Sequence, residues 1–139
     1  MNRDEIMQAH AATDHAALNA AAAEFMGWVH WKHWHPHHQE GLWNAGSRVI
    51  CTDPDMYVAA DHFCPTTDRN ALAELEGRLT GKQQVTYIIE LSALVRDAMR
   101  GDERDWDMGG DYRWRRWLIR HADPLDCTVS LLLAVGGDK

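Results

Sequence analysis

Between Trp28 and Trp43 the chain reads WVHWKHWHPHHQEGLW, with five histidines and four tryptophans in sixteen residues. Imidazole nitrogens ligate zinc, and His33, His35 and His37 alternate, so an extended chain puts them on one face. Zinc asks for three or four such ligands in tetrahedral array. The usual motifs that supply them are missing: His35-Pro36-His37-His38 runs into Gln39 and Glu40, with no HExxH and no CxxC. Joined by Asp61, these histidines would make a metal-dependent hydrolase. Otherwise the same stretch is a half-exposed aromatic strand followed by a polar loop.

The indoles suggest a different chemistry. Trp28, Trp31, Trp34, Trp43, Trp114 and Trp117 could stack a base while Arg113, Arg115, Arg116 or Arg120 pairs its phosphate. Seven tryptophans cannot all be spare, so some must fill a core. Exposed tryptophan beside arginine is also the composition of a protein-binding hot spot. No GxGxxG or P-loop occurs, which excludes a standard nucleotide fold, and there is no GxSxG elbow or Cys–His nucleophile motif. Asp61-His62 and Asp53-Pro54-Asp55 carry acid/base groups, although Asp-Pro-Asp is more often a turn. Alternation would set His62 and Cys64 on one strand face, as packing. The surface expected to bind a ligand or partner therefore comprises Trp31, His33, Trp34, His35, His37, His38, Trp43, Arg113, Arg115 and Arg116. No cofactor is expected; zinc on His33, His35 and His37 is the alternative.

The elements that must hold these groups follow from periodicity. Residues 1 to 12 form a short amphipathic start with Ile6 and Met7 as anchors. Thr13 or Asp14 caps an alanine-rich helix from His15 to Met26, and Gly27 stops it. Trp28, His30, Lys32, Trp34 and Pro36 then share one side of a strand, which Pro36 ends. Gly41 and Asn44-Ala45-Gly46 mark turns, Arg48 to Thr52 a short strand, and Met56 to Phe63 another. Thr67 or Asp68 caps a helix carried by Leu72, Leu75 and Leu79 to a stop at Gly81. Val85 to Leu94 alternates as the strongest strand, and Tyr112 to Arg120 reads as a further one. Asp123-Pro124 opens a final, strongly apolar helix that ends at Gly136-Gly137. The expected architecture is α+β: an antiparallel sheet of about four to five strands covered by three helices, an α/β sandwich.

Size and charge narrow the function. A chain of 139 residues, 45% hydrophobic and 25% charged, suits one folded domain spanning 1–139 rather than a disordered chain. The apolar runs are too short to cross a bilayer, and MNRDEIMQAH has no signal-peptide core, so a cytoplasmic location is expected. The net charge of −7, from 21 acids and 14 bases, opposes non-specific nucleic-acid binding and suits docking on a basic protein surface. Three widely separated cysteines without a CxxC read as buried reduced thiols.

The opening MNRDEI, the helix end FMGW at Phe25 to Trp28, CPTTDRNALAELEGRL and the C-terminal LDCTVSLLLAV resemble the phage ABA-sandwich domain family. Pro65, Thr66, Thr67, Asp68 and Ala71 match its usual entry into the middle helix. These motifs are structural, so the resemblance carries over no catalytic residue. It implies a small phage or prophage protein in the cytoplasm of an infected bacterial host. The expected role is non-enzymatic inhibition of a bacterial antiviral system by binding a host defence protein. Sequestration of a nucleotide immune signal and metal-dependent hydrolysis are the alternatives, and homo-oligomerisation is left open.

Overall fold

The first helix, α1 (Arg3–Ala11), begins at a reciprocal cap. The Asn2 side chain accepts the Glu5 amide at 2.9 Å, and the Glu5 carboxylate accepts the Asn2 amide at 3.2 Å. Ile6 and Ala9 are its buried residues. A tight turn through Thr13, at φ 53°, leads to α2 (His15–Phe25), whose first turn is capped by Asp14 accepting from Ala17 at 3.1 Å. Leu18, Ala22 and Ala23 are fully buried, and the small side chains let α2 lie close to its neighbours. Gly27 ends it at φ 82°, which an L-residue adopts only with strain, and the Trp28 amide folds back onto the Ala23 carbonyl at 3.1 Å.

The computed structural model describes residues 1–30, 42–55, 61–95 and 121–136. Its sheet runs in the order β1 (Val29–His30), β2 (Leu42–Ala45), β3 (Arg48–Cys51) and β4 (Asp61–His62). The first three strands are antiparallel, with His30 opposite Trp43 and Trp43 opposite Ile50; β4 lies parallel to β3. The β2–β3 hairpin turns at Gly46-Ser47 with Gly46 at φ 65°. The expected turn at Asn44-Ala45-Gly46 is therefore shifted, because Asn44 and Ala45 still pair with Val49 and Arg48.

Next, α3 (Arg69–Glu76) is capped as expected by Asp68, whose carboxylate accepts from Asn70 at 2.9 Å. Leu72 and Leu75 point into the core. This helix stops at Gly77 rather than Gly81, which instead opens α4 (Gly81–Val95). The last helix, α5 (Pro124–Gly136), starts as expected, with Asp123 accepting the Leu125 amide at 2.9 Å and proline in its first turn. Every residue from Cys127 to Ala134 is buried, because α5 is the central helix: α1, α2, α3 and α4 all pack on it, α4 most extensively.

The expected sandwich is not what forms. Five helices occur among the described residues, and the antiparallel part of the sheet has three strands, extended only by the two-residue parallel β4. The main error is Val85 to Leu94, which is helix. Its alternating valine, tyrosine and isoleucines look like a strand, but Tyr87, Leu91 and Val95 recur every four residues and are the buried ones. A cap also starts the helix: Thr80 Oγ1 accepts from the Gln83 amide at 3.2 Å, and Gln83 Oε1 accepts from the Thr80 amide at 2.9 Å. The strand expected from Met56 to Phe63 shrinks to Asp61–His62 among the described residues. The one expected from Tyr112 to Arg120 lies outside them. None of the described helices is long and apolar enough to cross a membrane.

Candidate recognition site

The described part of the Trp/His stretch sits where the end of α2 enters the sheet. Alternation and register place Trp28, His30, Trp43, Arg48 and Ile50 on one face. Ile50 is fully buried, so this face turns toward the core. Trp28 follows it inward, packing edge-on against Phe63 with ring centroids 4.4 Å apart and planes at 71°. Next along, His30 and Trp43 meet across the β1–β2 pair at 4.9 Å, tilted by 47°. Both are half-buried, so each ring has one side on the protein and part of its surface toward solvent. The Trp43 Nε1 is buried without a hydrogen-bond partner among the described residues, an arrangement that costs stability.

The cation at this site is already engaged. The Arg48 guanidinium carbon lies 5.9 Å from the centre of the Trp28 ring, and one of its nitrogens reaches Glu74 of α3 at 3.4 Å. Both partners of the ion pair are well exposed, so the pair contributes about 0–1 kcal/mol. The guanidinium thus has an acidic neighbour on one side and the indole on the other.

A buried polar clamp holds this end of the sheet to the helices. Asn19, fully buried on α2, donates to the Thr52 carbonyl at 2.8 Å and accepts the Thr66 amide at 3.1 Å. His15 meets the Thr66 hydroxyl at 2.8 Å. One asparagine thus ties α2 both to the end of β3 and to the turn before α3. Burial first, then neighbouring negative charge, pushes the nearby Cys64 thiol up to about 11, and burial also raises Cys51, so both favour the protonated form. Burial raises Cys127 to about 11 as well, so the reading of all three cysteines as buried thiols matches their positions.

Of the sequence-derived surface, Trp43 alone lies among the described residues. Trp31, His33, Trp34, His35, His37, His38, Arg113, Arg115 and Arg116 lie outside them, as do all three candidate zinc ligands. No group of three or more His, Cys, Asp or Glu side chains able to hold a metal occurs among the described residues. Asp53-Pro54-Asp55 is a turn, with the Asp53 carboxylate accepting the Asp55 amide at 2.9 Å. His62 and Cys64 do not share a strand face: β4 ends at His62, which is exposed, whereas Cys64 is buried.

One titratable pair was not legible as such. Tyr87, at the buried face of α4, donates to Glu76 at 2.9 Å. Burial raises the Glu76 pKa, partly offset by the Tyr87 hydrogen bond and by Arg69, and burial drives the Tyr87 phenol far up. The signal was a glutamate at a core-facing position of α3. Tyr87 is 2% exposed and joins α3 to α4 rather than meeting a ligand.

No family model matches the chain, and neither does any curated protein or solved structure.

Proposed function

We propose that this protein acts by binding another protein, using the aromatic end of its sheet as the contact surface. The observation that carries the reading is the His30–Trp43 pair: two half-buried rings in tilted contact across adjacent strands, with Ile50 opposite Trp43 on the next strand. Such rings are held in place before a partner arrives, so docking on them loses little side-chain entropy. Tryptophan is also the residue most enriched among dominant contact residues of protein interfaces. The charge of −7 favours a basic protein surface over an anionic ligand, and Arg48 is already shared between Trp28 and Glu74. The resemblance to the phage ABA-sandwich domain family supports a host defence protein as the partner and inhibition as the outcome.

The test is affinity capture from bacterial lysate with wild type, His30→Ala and Trp43→Phe, with thermal melts of all three. Retention of a defined protein by the wild type, its loss in both variants and melts within a few degrees of each other are expected. Equal retention by all three contradicts the reading. So does a nucleotide released by heat, or stoichiometric zinc, as the species bound in place of a protein.

A further inference from the structure

The corner between α1 and α2 uses the same backbone motif that ends α2, with a different residue at its critical position. At the end of α2, Gly27 takes φ 82°, and the Trp28 and Gly27 amides bond the Ala23 and Glu24 carbonyls at 3.1 and 3.0 Å. At the end of α1, Thr13 takes φ 53°, and the Asp14 and Thr13 amides bond the Ala9 and His10 carbonyls at 2.8 and 3.1 Å. Glycine enters the left-handed region freely, whereas a β-branched residue does so under strain. Thr13 is the one non-glycine residue at positive φ among the described residues.

Nothing in the local sequence requires the bend. Residues 10–17 read HAATDHAA, with four alanines and no glycine or proline. Moving Thr13, and Asp14 from its ψ of 80°, into right-handed helical angles joins α1 and α2 into one helix from Arg3 to Phe25. What holds the bent form is the seat of α1 on the rest of the chain. Ile6 and Ala9 are buried, and the Arg3 guanidinium donates to both carboxylate oxygens of Glu90 on α4, at 3.0 and 3.2 Å. His10 Nε2 lies 2.9 Å from an Asp126 carboxylate oxygen in the first turn of α5. A straightened chain gives up that seat, and a second straightened copy offers an identical one. We propose that two copies of this chain exchange α1, each α1 seating on the α4 and α5 of the other copy, with Thr13 as the hinge. The exchange re-forms the contacts of α1 with α4 and α5 and releases the strain at both corners. It stands apart from the protein-binding reading, whose residues lie on the sheet.

The experiment is size exclusion with light scattering on the full chain, over rising concentrations, for wild type, Thr13→Gly and Thr13→Ala. A monomer–dimer equilibrium is expected for the wild type. Thr13→Gly removes the strain from the bent form, so it should lower the dimerisation constant about a hundredfold, roughly tenfold at each of the two corners. Thr13→Ala keeps the strained angle and favours helix, so its dimers should be at least as abundant as those of the wild type. Arg3→Glu and Glu90→Arg each break the surface ion pair within their own chain. Mixed, the two variants should give heterodimers in excess of either homodimer, because exchange sets opposite charges at positions 3 and 90 in both seats. A wild type that stays monomeric at every concentration, a dimer indifferent to Thr13→Gly, or a mixture without excess heterodimer would overturn the proposal.

Discussion

The contact between α4 and α5 and the three-stranded antiparallel sheet are built on opposite terms. In the helical pair, the inward positions hold Tyr87, Leu91 and Val95 against an α5 that is buried along nearly its whole length. In the sheet, the face toward the core carries Trp28, His30, Trp43 and Arg48, with Ala45 and Ile50 as its aliphatic residues. Close-packed aliphatic groups make a cohesive unit and offer little to a partner. Rings with a polar edge, one of them holding an indole N–H without a partner among the described residues, stabilise less than such aliphatic packing. On the proposed function the helices are the scaffold, and the half-buried His30 and Trp43 are the part of the sheet open to a partner.

Substitutions can break this contrast in order of size. Leu91→Ala, at a fully buried position, should cost about 2–5 kcal/mol in urea denaturation, because the apolar contacts are lost and a cavity remains. A loss under 1 kcal/mol would show that the α4–α5 pair is not the scaffold. Asn19→Ala should cost about 2–3 kcal/mol, since the Thr52 carbonyl and Thr66 amide both lose their buried partner. Hydrogen exchange should rise at Thr66 if the asparagine is the clamp. Ser130 is fully buried and its hydroxyl has no partner among the described residues, so Ser130→Ala should raise stability by up to about 1 kcal/mol. Destabilisation there would mean that the hydroxyl has a role in the helical core.

The smallest effect is in pH dependence. Burial raises the Glu76 pKa above its ordinary 4.5, so the folded protein holds that proton at pH values where the unfolded chain has released it. The contribution of Glu76 therefore falls as pH rises through the window between the unfolded and folded pKa values. Glu76→Gln keeps an acceptor for Tyr87 and should flatten the stability profile just above pH 4.5. An unchanged slope in denaturation curves across that window would remove Glu76 as its source.

Local chemistry was the legible part of the sequence. Asp14, Asp68 and Asp123-Pro124 mark helix starts because each carboxylate satisfies a free amide, and Gly27 marks an end because the chain turns left-handed there. Of the strand side expected to hold Trp28, His30, Lys32, Trp34 and Pro36, only His30 falls within a described strand, opposite Trp43. What misled was Val85 to Leu94, where β-branched and aromatic residues imitate a strand while Tyr87, Leu91 and Val95 obey the helical period. The Thr80–Gln83 cap was present in the sequence and decides between the two patterns. The meeting of His30 with Trp43 could not be read locally, because it depends on the pairing of β1 with β2 rather than on either strand alone.

Exposed Val85 and Ile89, one turn apart on α4, form the rival surface to the aromatic sheet. Amide hydrogen exchange of the protein, free and bound to the partner it captures from lysate, discriminates directly between them. Slowed exchange at Val29–His30 and Leu42–Ala45, with α4 unchanged, is expected if the sheet is the contact surface. Protection confined to Val85 through Ile89, with the sheet unaffected, would contradict it.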